Sequence, residues 1–187
     1  MTDFRESIET YLSSLAGALA ALNRDEVASL AGALMAARER GARVFTMGNG
    51  GSAATASHFV CDFNKGLRRE GGENFRFICL NDNVPSLTAI ANDVGYDAVF
   101  VEQLKTCLEP GDLVMGISGS GNSANVVKAL EYAKAHGAET VALVGYDGGR
   151  LKDLARHVVH VPWHDMQIVE DIHMMLDHLS MRVLSLI

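Results

Sequence analysis

Two stretches of this chain place glycines and small polar residues directly after an apolar run and directly before a helix-like one. They are Met47-Gly48-Asn49-Gly50-Gly51-Ser52-Ala53 and Gly116-Ile117-Ser118-Gly119-Ser120-Gly121-Asn122-Ser123. Glycine lets the backbone come close to a ligand, and the helix that follows directs unpaired N–H groups and its positive dipole end at it. Serine hydroxyls add short, adaptable hydrogen bonds to phosphate oxygens. The pair of loops is an anion-binding design, and the expected ligand is a small phosphorylated molecule. A second set of residues could bind a metal or move protons. His58 and Asp62 are four apart, on one face of an expected helix, and the last helix carries Glu170, His173, Asp177 and His178. Imidazole and carboxylate together are the donor set of a divalent transition metal such as zinc.

Spacing restricts how these groups combine. Glu170 and His178 are eight residues apart, about 12 Å along a helix. A shared ion must therefore lie between them at full reach, or one ligand must come from a neighbouring subunit. Glu170 and His173, three apart, make an easier pair, which keeps His173 as a reserve ligand against its alternative as a helix-core residue. His136, His157, His160 and His164 have no partner pattern and read as structural or surface residues.

The elements that position these groups follow from periodicity. Phe4, Ile8, Tyr11, Leu15, Leu19 and Leu22 step by three and four, which predicts an amphipathic helix over 3–22. A second helix is expected over 25–40, then strands at 42–47, 75–80, 112–117, 139–144 and 157–161. Helical segments are expected at 52–65, 85–106, 122–136 and 149–155. This alternation implies βαβ units, a parallel sheet with helices on both faces, and ligand binding outside the carboxyl ends of the strands. The N-terminal helix pair and a final helix over 165–186 are expected to stand outside that core. The final helix is apolar nearly all round, so the terminal helices are expected to form an intersubunit bundle in an obligate homo-oligomer.

Composition excludes other classes. A net charge of −7 leaves no basic stripe for a nucleic-acid backbone, and the cluster Lys65, Arg68 and Arg69 also reads as a solvated helix end. Cys61, Cys79 and Cys107 are sparse, odd in number and without a CxxC, which suits a reducing compartment. Neither a signal peptide nor a membrane span is read from the sequence, so the expected location is cytoplasmic. Gly48-x-Gly50-x-x-Ala53 matches a relaxed dinucleotide fingerprint, but the acidic residue expected about 20 positions on is displaced to Asp82. No GxxxxGK[ST] motif is present.

Taken together, Gly48-Asn49-Gly50-Gly51-Ser52, His58-Phe59, Ala91-Asn92-Asp93, the Gly116–Ser123 loop and Gly145-Tyr146-Asp147-Gly148-Gly149 resemble the SIS-domain (sugar isomerase) family, most closely its phosphoheptose isomerase group. The resemblance runs the length of the chain. It implies one SIS domain with a five-stranded parallel sheet in a flavodoxin-like three-layer arrangement. That domain would comprise an N-terminal helical segment over 1–40, an α/β core over 42–162 and a C-terminal helix over 165–187. It also implies a homotetramer with active sites at subunit interfaces. The implied reaction converts sedoheptulose 7-phosphate to D-glycero-D-manno-heptose 7-phosphate, for heptose and surface-polysaccharide synthesis.

By the same resemblance Ser118, Ser120 and Ser123 would hold the phosphate. Asn49, Gly50, Gly51, Ser52, Asn92 and Asp93 would line the sugar. Gly119 stands where the family commonly has a hydroxyl residue, so one phosphate contact would come from backbone. His58 and His178 fall on the family's metal-binding histidines. Asp62 replaces a glutamate, the family's proposed base, and Glu170 replaces a common glutamine. The implied metal set is His58, Asp62, Glu170 and His178, holding a divalent ion, expected to be zinc. Ketose–aldose isomerisation needs a base that moves a proton from C1 to C2 through an enediol, an acid for the hydroxyl proton, and electrophilic help at the oxyanion. Asp62 is the first choice as base, with Glu170 in reserve, and His178 is the acid. The rival reading is a non-catalytic sensor or adaptor of the family, including the type that binds a replication initiator. Such a protein needs neither acid, base nor metal.

Overall fold

The computed structural model describes residues 3–186. Five strands, β1 (Val44–Gly48), β2 (Phe77–Cys79), β3 (Leu113–Ser118), β4 (Glu139–Val144) and β5 (His157–His160), form one sheet in the order β2-β1-β3-β4-β5. Every neighbouring pair is parallel. The helices are α1 (Phe4–Ala21), α2 (Arg24–Glu39), α3 (Gly51–Cys61), α4 (Val84–Asp93), α5 (Val101–Cys107), α6 (Ala124–Ala135), α7 (Gly149–Leu154) and α8 (Met166–Leu184). Among the described residues, no helix is long and apolar enough to cross a membrane.

Strand side chains alternate between two apolar layers, as a sheet covered on both faces requires. Val44, Leu113, Met115, Ile117, Val141 and Leu143 face a core shared with Leu30 and Leu34 of α2, Phe59 of α3 and Ile168, Ile172 and Leu176 of α8. Phe45, Met47, Val114, Ala142 and Val144 face the opposite core with Leu104, Val126 and Leu130. The terminal helices are thus not all outside the core. α2 and α8 join α3 in one covering layer, because the apolar stripe of each is wide enough to meet the sheet as well as its neighbours. α1 is the outlying helix, tied to α8 by the Tyr11 hydroxyl, which donates to Asp171 at 2.6 Å.

Two expected helices are interrupted. The segment over 52–65 is α3 followed by a π turn, Asp62–Gly66. That extra residue per turn sends Phe63 into a cluster with Phe75 (ring centroids 5.0 Å apart) and Phe77 (4.5 Å). Asn64 then pairs with the backbone of Phe77, donating to its carbonyl and accepting from its N–H, both at 2.9 Å, so a side chain completes the sheet's edge. The segment over 85–106 breaks at Gly95, whose φ of 139° no α-helix accommodates. At the end of the strands opposite the glycine loops, Asp112 anchors Arg43 through Nε at 3.1 Å and Nη2 at 2.8 Å.

Candidate active site

β1 pairs with β3 with Gly48 opposite Ile117, so the two glycine loops leave the sheet side by side. β1 leads to β2 on one side, and the chain then returns to β3 on the other. A crevice opens at such a switch point, beyond the carboxyl ends of the strands. Neither α3 nor α6, the two helices that start there, is capped by a side chain. Apart from the Val126 N–H, which donates to the Asn125 side chain at 3.0 Å, the two helices open with N–H groups and positive dipole ends directed at the crevice.

The second loop is held rigidly before any ligand arrives. Ser118 and Ser123 hydroxyls lie 2.9 Å apart, and the Asn122 N–H donates to Ser120 Oγ at 3.2 Å. Asn122 Oδ1 accepts from the Arg150 N–H at 3.0 Å, while the Gly145 and Leu151 N–H groups donate to the carbonyls of Gly119 (2.8 Å) and Gly121 (3.0 Å). Gly121 has φ +66°, and a Cβ there would overlap the Gly148 carbonyl, so no other residue fits. At Gly119 a Cβ would come within 2.6 Å of the Met166 sulfur. A side chain at this position would meet Met166, the first residue of α8.

The first loop is clamped by asparagines that spacing did not single out. Asn81, just past β2, accepts from the Gly48 N–H at 3.1 Å and donates to its carbonyl at 2.9 Å. Asn49 and Asn125 exchange hydrogen bonds of 3.0 and 2.9 Å, and the Tyr96 hydroxyl donates to Asn49 Oδ1 at 2.8 Å. Asn125 lies in the first turn of a helix beside a glycine loop, a signal the sequence did carry. Nothing local announces Asn81 or Tyr96. Ser52 is buried under the loop, while Asn92 and Asp93 end α4 exposed, with Asn92 donating to Asp93 at 2.8 Å.

Farther along α3 the ionisable residues converge. α8 runs parallel to α3, with Glu170 beside Gly51, Asp177 beside His58 and Met181 beside Gly66. His58 Nε2 lies 3.0 Å from His178 Nε2, 3.7 Å from Asp62 Oδ2 and 3.8 Å from Asp177 Oδ2, and His178 Nε2 is 3.9 Å from Asp62 Oδ2. One donor atom from each of the four lies within 4.8 Å of the others. Tetrahedral zinc with ligands at about 2.0–2.1 Å sets its donors about 3.3 Å apart. Two imidazoles and two carboxylates at these separations suit a divalent cation. Asp177 adds an independent sign: its side chain is 0% exposed and neither oxygen has a hydrogen-bond partner. Burial, and secondarily the Asp62 carboxylate, push Asp177 up to about 7.

The two remaining α8 residues go elsewhere. The Glu170 carboxylate lies over the first turn of α3, both oxygens within 2.8 Å of where a Gly51 Cβ would stand. Gly51 precedes His58 by seven residues, which places that carboxylate about 10 Å up the helix from the cluster. His173 is buried in the core with neither ring nitrogen hydrogen-bonded, and desolvation lowers its pKa to about 4. The other histidines have their own partners: His136 stacks on Tyr132, His157 meets Ser29 at 2.8 Å, His160 Nε2 donates to the Tyr146 carbonyl at 2.7 Å, and His164 lies 3.3 Å from Asp147.

Comparison with known proteins agrees with this architecture. The model of the SIS domain matches residues 6–145. A phosphoheptose isomerase of Geobacter metallireducens is 39% identical over 177 residues, covering 93% of this chain and 93% of that protein. A probable phosphoheptose isomerase of Thermoplasma acidophilum is 38% identical over 169 residues, covering 90% and 92%. The solved structure of the phosphoheptose isomerase from Neisseria gonorrhoeae superimposes with a TM-score of 0.90 at 27% identity, over 99% of this chain and 100% of that one. The chain belongs to the SIS-domain family, among the phosphoheptose isomerases.

Proposed function

We propose that this protein is an aldose–ketose isomerase that converts sedoheptulose 7-phosphate to D-glycero-D-manno-heptose 7-phosphate. The observation that carries the reading is the placement of two chemistries on one helix. α3 begins at the phosphate-suited crevice and ends in the His58–Asp62–Asp177–His178 cluster. A seven-carbon sugar phosphate spans such a distance, its phosphate at the loops and its carbonyl end toward the cluster.

In this reading Ser118, Ser120 and Ser123 hold the phosphate with the N-terminus of α6. That remote binding energy aligns C1 and C2 without taking part in their chemistry. Asn49, its Oδ1 filled by Asn125 and Tyr96 and one amide proton given to Asn125, keeps one fixed N–H for a sugar hydroxyl. Asp62 removes the C1 proton and returns it at C2 of the cis-enediol, and His178 carries the hydroxyl proton. The paired imidazoles and their carboxylates would hold a divalent cation, which supplies Lewis-acid stabilisation of the developing oxyanion. Zinc suits the donor set, and the product suits a route to heptose-containing surface polysaccharide. The protein acts as a homotetramer in the cytoplasm.

The test is incubation with sedoheptulose 7-phosphate, with the product followed by NMR. Turnover that falls about 10²- to 10⁴-fold in His178→Ala supports the isomerase and its acid. Tight binding of the sugar phosphate without turnover would instead make the protein a sensor or adaptor.

A further inference from the structure

We propose that His160 is a positioning residue for the phosphate: its imidazole holds Tyr146 in a left-handed backbone conformation, and that bend seats the Gly116–Ser123 loop. The proposal deepens the isomerase reading and rests on its assignment of the phosphate to that loop. Spacing along the chain offers His160 no partner.

The phosphate loop takes its position from the neighbouring loop over 145–151. The Gly145 N–H donates to the Gly119 carbonyl at 2.8 Å, the Leu151 N–H to the Gly121 carbonyl at 3.0 Å and the Arg150 N–H to Asn122 Oδ1 at 3.0 Å. The Gly148 carbonyl packs so close to Gly121 that no Cβ fits between them. Wherever this supporting loop sits, Ser120 must follow.

The supporting loop bends at one unusual residue. Tyr146 has φ +49° and is the sole non-glycine with positive φ among the described residues. A side chain disfavours this region because Cβ crowds the following carbonyl oxygen. Such a residue persists where its surroundings over-determine it. Here two groups do so. The Tyr146 N–H donates to the Trp163 carbonyl at 3.2 Å, and the Tyr146 carbonyl accepts from His160 Nε2 at 2.7 Å.

His160 is itself set for that donation. It ends β5 opposite Val144, the last residue of β4, so the sheet brings it to the start of the supporting loop. Its backbone N–H donates to Glu26 of α2 at 2.8 Å. Its Nδ1 lies 3.2 Å from Nζ of Lys152 on α7. An ammonium offers only protons, so Nδ1 accepts and the ring proton resides on Nε2, facing Tyr146. A hydrogen bond that merely braced the sheet edge could end anywhere on the loop. This one ends on its strained residue, next to the glycine that holds Gly119.

The experiment uses the full chain and two readouts: equilibrium dialysis against radiolabelled inorganic phosphate, and steady-state kinetics on sedoheptulose 7-phosphate. His160→Ala is expected to weaken phosphate by about 5- to 10-fold, the worth of one hydrogen bond, and to raise KM alike with a smaller change in kcat. His160→Gln keeps a neutral donor and acceptor and is expected to recover most of the affinity. Tyr146→Gly supplies a residue that adopts positive φ freely. In that background His160→Ala is expected to cost less than about twofold, a coupling that a double-mutant cycle reads. A merely structural histidine would instead lower Tm and leave KM and phosphate affinity unchanged.

Parent-like phosphate affinity and KM in His160→Ala overturns the proposal and leaves the isomerase reading standing. An equal loss in the Tyr146→Gly background overturns it too, since the imidazole would then act without the bend. Phosphate affinity that depends on His160 in a parent that does not turn over the sugar phosphate supports the proposal and fails the isomerase reading. Absence of phosphate binding by the parent overturns the proposal, and turnover then decides the isomerase reading separately. Should His160→Ala not fold, Lys152→Met at an exposed position takes its place, because it frees the ring to move its proton to Nδ1. Phosphate weakened by about twofold or more supports the proposal, and parent-like affinity overturns it.

Discussion

Ser118 and Ser123 face each other across 2.9 Å at the mouth of α6, one hydroxyl donating to the other. If Ser118 holds the phosphate as proposed, replacing it with alanine removes a donor to a charged oxygen, worth about 1.5–3 kcal/mol. The expected result is a rise in KM of about 10- to 100-fold with a smaller change in kcat, read by steady-state kinetics on sedoheptulose 7-phosphate. A drop in kcat at constant KM would place Ser118 at the reacting end instead. Gly119 offers a sharper test of packing. Gly119→Ser restores the hydroxyl common in the family but pushes against the Met166 sulfur, 2.6 Å from the new Cβ. Overpacking of this kind costs about 1–3 kcal/mol. Met166→Ala in the same chain is expected to recover most of that loss, as measured by urea unfolding. Equal stability of the single and double variants would mean that Met166 simply swings aside.

At the scale of elements, α8 carries a buried polar line, His173, Asp177 and Ser180, against the sheet and α3, and none of the three side chains has a hydrogen-bond partner. His173 makes this line pH-sensitive. Its imidazole is held neutral, with the pKa lowered by burial from 6.5 to about 4. Below about pH 6.5 the unfolded chain takes up a proton that the folded chain refuses. Stability is therefore full above that pH and is lost as pH falls toward 4, by about 3 kcal/mol over the window. Urea unfolding of metal-stripped protein at fixed concentration, between pH 7.5 and 4, is expected to show this loss beyond that of His173→Leu. Parallel pH profiles for the two proteins would show that His173 gains a proton without cost. The π turn after α3 matters at this scale as well. It buries Phe63 among Phe75 and Phe77 and, in the same step, leaves Asp62 turned toward His178.

For the whole molecule, two groups of exposed apolar side chains stand out among the described residues. Phe4, Ile8 and Leu12 form a stripe along α1, 71%, 54% and 53% exposed, and α4 buries none of its residues while Val84, Val94 and Tyr96 stand exposed near the crevice. Contiguous apolar surface of this kind marks an association face. We expect sedimentation well above the 20.1 kDa monomer. Ile8→Glu with Leu12→Glu should shift the protein to smaller species and lower turnover with them, because Tyr96, which positions Asn49, lies on the second exposed face. An unchanged assembly would exclude α1 from the interface. Full turnover in a dissociated variant would show that one copy carries the entire site.

What could be read from the chain alone was whatever depends on near neighbours along it. The glycine loops are legible because Gly50 and Gly121 sit at positive φ, where other residues are strained. The sheet is legible because apolar runs alternate with amphipathic ones, and His58 and Asp62 meet because four residues make about one helical turn. The tertiary structure decided what depends on the register of distant segments. Spacing along α8 offered Glu170 and His173 as the easier pair, while family resemblance favoured Glu170 with His178 and gave no role to Asp177. The parallel docking of α8 on α3 brings Asp177 to His58 and leaves Glu170 at Gly51. Docking likewise sets Met166, on another element, against Gly119. A helix offers every face to its sequence neighbours alike, and only packing selects the face that meets the site.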